Sequence, residues 1–137
     1  IDGYTKQEAY EKTRIEIQGL WEEINLSEHE RLHFERVIQL DLNDVAKKDI
    51  KSGGYVIESL EASIWSFLKT DTYEEAVLTA INFGHDTDTT GAITGGIAGV
   101  YYKNLNFPEY WMVSLARMED ILDLADRLNN KYTVLKD

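Results

Sequence analysis

Gly84-His85-Asp86-Thr87-Asp88-Thr89-Thr90-Gly91, continued by Ala92-Ile93-Thr94-Gly95-Gly96-Ile97-Ala98-Gly99, is the stretch on which the reading of this chain turns. Carboxylates at i and i+2, interleaved with hydroxyls, open what reads as a tightly packed helix. Like charges so close are costly unless a cation or several hydrogen-bond donors lie between them, so Asp86 and Asp88 have the pattern of a hard-metal half-site. The same residues also suit plain helix capping, because Asp and Thr satisfy the free N–H groups of a first turn. An EF-hand is a further reading, with Asp86, Asp88, Thr90 and Gly91 at its first, third, fifth and sixth loop positions. It fails at Ile97, where a bidentate Glu is required. The glycines spell no dinucleotide fingerprint.

Gly91, Gly95 and Gly99 recur every fourth position and therefore share one helix face. Each glycine lowers helix propensity by about 1 kcal/mol relative to alanine, so such a face needs a packing reason. Small-xxx-small faces are also found in membrane helices, but this run is short of a span and carries Thr and Asp. The expectation is the buried central helix of a soluble bundle, with the Asp pair at its exposed end.

Outward from this helix, the pattern is helical nearly throughout. A first helix is expected from about residue 6 to residue 24, and Ser27 with Glu30 forms a capping box for a second reaching Leu40 or beyond. Residues 41–51 are charged and irregular and end at Ser52-Gly53-Gly54, the clearest internal break. From Tyr55 onward Val56, Ile57, Leu60, Ile64, Phe67 and Leu68 follow helical spacing. Thr72-Tyr73-Glu74-Glu75 is a capping box opening the next helix, which carries Val77, Ala80 and Ile81. After the glycine helix, Asn104-Leu105-Asn106 punctuates the chain and Pro108 fits the first turn of a helix holding Trp111. Met118, Ile121, Leu122, Ala125 and Leu128 mark a last amphipathic helix. No strand pattern competes, so the fold class is all-α.

The chain has 137 residues, 25 of them acidic, and a formal net charge of -11. That is one domain's length, and the acidic balance argues against contact with nucleic-acid phosphates, which needs clustered Lys and Arg. The absence of cysteine excludes thiol catalysis and a disulfide framework. With no apolar run long enough for a bilayer and no evident signal peptide, no membrane partner is expected and the cytoplasm is the default location.

Three pieces together resemble the ADP-ribosylglycohydrolase family, which includes the enzyme that removes ADP-ribose from dinitrogenase reductase. They are the sixteen-residue stretch quoted above, Ser52-Gly53-Gly54-Tyr55-Val56-Ile57-Glu58-Ser59-Leu60-Glu61-Ala62 upstream of it, and Pro108 with Trp111 downstream. The resemblance covers about residues 52 to 128 and implies an orthogonal multi-helix bundle. It implies a dinuclear Mg2+ or Mn2+ centre engaging the distal ribose of ADP-ribose, with Asp86, Asp88 and Thr89 as oxygen ligands from this chain. His85 departs from the glycine often found before the first Asp and is placed outside the ligand set. Ser52, Gly53, Gly54 and Tyr55 would line the substrate, Tyr55 near its nucleoside part.

Family members also carry a Thr-Asp-Asp metal motif near their N-terminus. The nearest string here, Thr70-Asp71-Thr72, lacks the second Asp and is explained by the capping box. The whole chain, residues 1–137, is therefore expected to be the C-terminal part of one such domain, with an N-terminal companion segment supplying the second metal cluster and the proton carrier. The alternative is a non-catalytic binding or structural module, since the resemblance extends to some eye-lens crystallins of jellyfish.

Other residues invite simpler readings. His29-Glu30-Arg31-Leu32-His33 matches the His-Glu-x-x-His order of zinc proteases, but its helix is rich in Arg and Glu and offers no third ligand. Trp21, Trp65 and Trp111 read as core aromatics.

Overall fold

The computed structural model describes residues 3–103 and 107–133, so the expected break at Asn104-Leu105-Asn106 lies outside the described residues. The described residues are all-α, with no strand. The elements are α1 (Lys6–Glu23), α2 (Glu28–His33), α3 (Val56–Leu68), α4 (Tyr73–Ile81), α5 (Thr87–Tyr102), α6 (Glu109–Ser114) and α7 (Met118–Thr133). A π-helical turn (Glu35–Gln39) and 3₁₀ turns (Leu42–Asp44 and Lys47–Asp49) connect α2 to α3. The chain divides into two compact units, 1–105 and 106–137.

In the first unit, α3 is the most enclosed helix. Ser59, Glu61, Ala62, Ser63, Trp65, Ser66 and Phe67 are all buried along it. Trp65 packs with Tyr10, Leu42, Ile50 and Ala62, and its indole N–H donates to Val45 O at 2.9 Å, which satisfies the one polar atom its burial would strand. Trp21 closes a second cluster with Val37 and Ile38, and Phe67 a third with Ala76 and Ala98. Removing a side chain such as Leu42 or Val37 completely from water contributes about 2 kcal/mol each. Trp111, in contrast, is only half-buried, so the expectation of a core position holds for Trp21 and Trp65.

The helix starts follow from their caps. Thr5 and Glu8 form a reciprocal capping box on α1, while Ser27 and Thr72 accept from the N–H groups of Glu30 and Glu75. The second helix is not continuous to Leu40. It ends at His33 and gives way to the π turn, whose carbonyls are taken up by α1: Arg14 donates to Ile38 O and Gln39 O, and Gln18 to Ile38 O. This wider turn delivers Val37 and Ile38 together into the Trp21 cluster.

The glycine helix, α5, packs on α3 and α4. Its burial is one-sided: Thr90, Thr94 and Ala98 are buried, whereas Thr89, Ala92, Gly96 and Val100 are exposed. A Cβ added at Gly91 would lie 2.9 Å from Ile81 Cγ2, and one at Gly95 would lie 3.1 Å from the Tyr73 hydroxyl, so α4 supplies the close neighbour that the glycine spacing requires. Towards α3 the contact is hydroxyl-lined. The Ser63 hydroxyl donates to Ser59 O within its own helix at 2.7 Å and reaches Thr90 O across the interface at 3.2 Å.

In the second unit, Pro108 caps α6, one residue before the helical turn in which it was expected. Met118, Ile121, Leu122, Ala125 and Leu128 keep helical spacing along α7, and the ion pair between Arg117 and Asp120 at 2.6 Å spans its start.

Candidate functional site

The start of α5 is built from two loops that meet. Asp86 is the N-cap residue, with φ -87 and ψ 69, and is half-buried; Asp88 and Thr89 stand exposed in the first turn. The chain reaches Asp86 through two consecutive left-handed residues, Gly84 at φ +80 and His85 at φ +58. Thr90 then turns inward, and its hydroxyl donates to Asp86 O at 2.8 Å.

Facing this turn is the loop 52–55 before α3. Gly54 has φ +85, a region that favours glycine, and a Cβ there would lie 3.3 Å from Asp86 Oδ2. Ser52 is buried; its carbonyl accepts from Asp86 N–H at 3.2 Å and its hydroxyl donates to Gly84 O at 3.1 Å. Gly53 N–H donates to Glu58 Oε2 at 3.2 Å. Gly53, Gly54 and Tyr55 are exposed, and the Tyr55 hydroxyl lies 3.2 Å from His33 Nδ1. The structure thus brings Ser52 and Gly54 against Asp86, while Tyr55 leans to the other side of its loop.

On that side is a cleft of about 200 Å3 lined by His33, Arg36, Lys51, Tyr55, Glu58 and Glu61, among others. Glu61 is buried and pairs with Arg36 at 2.6 Å. The same Arg36 nitrogen donates to Asp49 O at 3.0 Å. Arg36→Ala would leave the buried carboxylate unpaired. Loss of a fully buried partner costs about 3–5 kcal/mol; because the Arg36 side chain is 42 % exposed, a destabilisation on the order of 2 kcal/mol is expected. Urea unfolding checks it, and a change under about 0.5 kcal/mol, the range of ordinary surface sites, would show the pair to be idle.

Electrostatics at Asp86 and Asp88 bear on what the site can hold. The Asp88 carboxyl is held below its usual range by a hydrogen bond with the Asp86 side chain, then by the backbone N–H groups of Asp88 and Thr89. The oxygens offered here, carboxylate and hydroxyl, suit Mg2+, Mn2+ or Ca2+. The glycine backbone at residue 54 leaves open the space beside Asp86 that a side chain would fill. The residues therefore fit a hard divalent cation. Among the described residues no group of three or more His, Cys, Asp or Glu converges, so two carboxylates and a hydroxyl make only part of a coordination sphere. His29 and His33 stack edge-to-face at 5.4 Å on the exposed helix α2.

The sequence reading gave no role to Glu58 or Ser63, and to Thr90 only one in the rejected EF-hand loop; the structure shows them bonding to Gly53 N–H, to Ser59 O and Thr90 O, and to Asp86 O. Glu58 stands three residues after the N-cap Tyr55, but Tyr55 makes no side-chain cap bond and Glu58 accepts from Gly53 N–H instead, so no capping box marked it in the sequence.

A family model described as ADP-ribosylglycohydrolase matches residues 1–136. The chain belongs to this family. Among its relatives, an ADP-ribosylarginine hydrolase of Serratia proteamaculans is 40% identical over 96 residues, which cover 68% of this chain and 26% of that protein. The ADP-ribosyl-[dinitrogen reductase] glycohydrolase of Rhodospirillum rubrum is 31% identical over 65 residues, 47% of this chain and 22% of that protein. A human ADP-ribosylhydrolase is 28% identical over 108 residues, 68% of this chain and 30% of that protein. The chain thus spans about a quarter of the length of the curated relatives it matches. No solved structure matches it. Among the described residues no helix is long and apolar enough to cross a membrane.

Proposed function

We propose that this chain supplies one half of a dimetal site that hydrolyses the glycosidic bond between ADP-ribose and a modified acceptor, an arginine side chain being the acceptor favoured by the name of the Serratia relative. The observation that carries the reading is the placing of Asp86 at the N-cap and of Asp88 and Thr89 in the first turn of α5, with the Gly54 backbone against Asp86. Asp86, Asp88 and Thr89 would hold the cation from this side. Bound Mg2+ or Mn2+ would supply Lewis acidity at the ribose hydroxyls and a lowered pKa for water.

The chain's own residues bind and orient. Gly53 and Gly54 present backbone where a side chain would obstruct the sugar, Ser52 fixes the loop from its buried side, and the half-exposed Tyr55 ring offers an apolar face to the nucleoside. In the reaction the bond from the anomeric carbon to the acceptor nitrogen breaks, water oxygen takes its place, and the water proton ends on the departing nitrogen. That proton needs a positioned carrier. The second metal cluster and this carrier would come from a segment bearing the family's Thr-Asp-Asp motif. A cytoplasmic enzyme acting on ADP-ribosylated substrates is the corresponding cellular role.

The test is hydrolysis of an ADP-ribosylarginine peptide with Mg2+ or Mn2+. Residues 1–137 alone are expected to give no turnover, and a Thr-Asp-Asp segment added in trans to restore it. Robust turnover by the 137-residue chain, lost in Asp86→Asn and indifferent to the added segment, would overturn the half-site reading. Binding of ADP-ribose with no turnover in either arrangement would favour the non-catalytic module.

A further inference from the structure

We propose that Ser52 is a positioning residue for the Asp86 carboxylate, fixing the turn 84–86 against the glycine loop so that Asp86, Asp88 and Thr89 are preset for a divalent cation. This rests on the half-site reading above. Ser52 is only 4 % exposed, and both its polar groups are directed at one turn: its carbonyl accepts from Asp86 N–H and its hydroxyl donates to Gly84 O, at 3.2 Å and 3.1 Å. These bonds bracket His85, whose φ of +58 is sparsely populated for a residue with a Cβ and persists only when its surroundings fix it.

The serine has a firm base. Gly53, its neighbour, donates to Glu58 Oε2 at 3.2 Å, and Glu58 lies 3.9 Å from Lys51 Nζ. Beyond Gly53, the Gly54 backbone is brought so near Asp86 that a Cβ would lie 3.3 Å from its Oδ2. The Ser52 hydroxyl, through Gly84 O, thus joins the Asp86 N–H bond to Ser52 O and the Thr90 bonds to Asp86 O in setting where the Asp86 side chain leaves the backbone. Groups that orient a metal ligand from outside the coordination sphere typically change metal affinity by about 10–100-fold when removed.

Mn2+ binding to the protein, followed by the electron paramagnetic resonance signal of free Mn2+, tests this beside thermal unfolding of the metal-free protein. Ser52→Ala is expected to weaken Mn2+ binding about tenfold, and Ser52→Thr, which keeps the hydroxyl, to stay within about twofold. Ser66→Ala is the control, a buried α3 serine whose hydroxyl donates to Ala62 O at 2.7 Å, and it is expected to leave Mn2+ affinity unchanged. Affinity within twofold of wild type in Ser52→Ala, under conditions where Asp88→Asn has lost binding, overturns the positioning role and leaves the half-site standing. So does an equal loss in Ser66→Ala. Equal Mn2+ binding by wild type and Asp88→Asn, or none by wild type, overturns the half-site and the positioning role together. Should Ser52→Ala not fold, amide exchange in the wild type decides: the Asp86 N–H is expected to be protected, and exchange at the free-peptide rate overturns the proposal.

Discussion

Mg2+ or Mn2+ is expected to raise the thermal midpoint of the protein assembled with its Thr-Asp-Asp segment, and Asp88→Asn to abolish that rise. A ligand that binds only the native state stabilises it by mass action, about 2.7 kcal/mol at a hundred times its dissociation constant. Asp88 is exposed on the first turn of α5, so the substitution breaks no core packing. The amide oxygen of Asn can still accept from the backbone N–H groups of residues 88 and 89 that hold the carboxylate. Without metal the midpoint should therefore stay close to that of the wild type. The signature is the loss of the metal increment alone. Equal metal-dependent shifts in wild type and Asp88→Asn would refute the assignment of ligands, whereas a drop in the metal-free midpoint would mark Asp88 as a structural cap.

Much of this arrangement is legible in the sequence, and the part that is not has a common physical origin. Periodicity locates α1, α3, α4 and α5 because each carries apolar residues at helical spacing and buries some of them; α7 shows the same spacing although none of its described residues is buried. It misjudges where α3 is buried. Ser63 and Ser66 read as polar, yet both are buried, since their hydroxyls bond the carbonyls four residues back and the residues then behave as small fillers between helices, whereas the buried Ser59 hydroxyl makes no such bond. The same back-bonding hides Thr90 and Thr94 at the interface side of α5. The π turn is equally silent, because its stabilising partners, Arg14 and Gln18, come from a different helix.

At the candidate site the distinction is between side chains that carry chemistry and groups that place them. Asp86 and Asp88 announce themselves by charge and spacing, and Thr89 joins them only through the family resemblance. Ser52 does not, because it acts through a backbone carbonyl and a hydroxyl on a turn more than thirty residues away in sequence, as the bond to Gly84 O shows. Gly54 sits between these cases: its place in a double glycine suggests a turn, but only the fold shows Asp86 beside it.

Gly95→Leu is expected to destabilise the protein by about 3 kcal/mol, the upper part of the usual overpacking range. The Cβ alone would lie 3.1 Å from the Tyr73 hydroxyl and 3.9 Å from Val77 Cγ2, and the remaining leucine atoms have to enter the seam between α5 and α4. Helix propensity acts in the opposite direction, because replacing a mid-helix glycine gains up to about 1 kcal/mol. Gly96 separates the two effects. It is the next residue of the same helix, but a Cβ there meets nothing within 4 Å, so Gly96→Ala should keep the propensity gain without the clash and raise stability by about 0.5–1 kcal/mol. Chemical denaturation of both variants reads the difference. Opposite signs at adjacent positions locate the close approach on the Gly95 face, whereas a Gly95→Leu change within about 0.5 kcal/mol would show that face to be open and leave the glycine spacing without a packing cause.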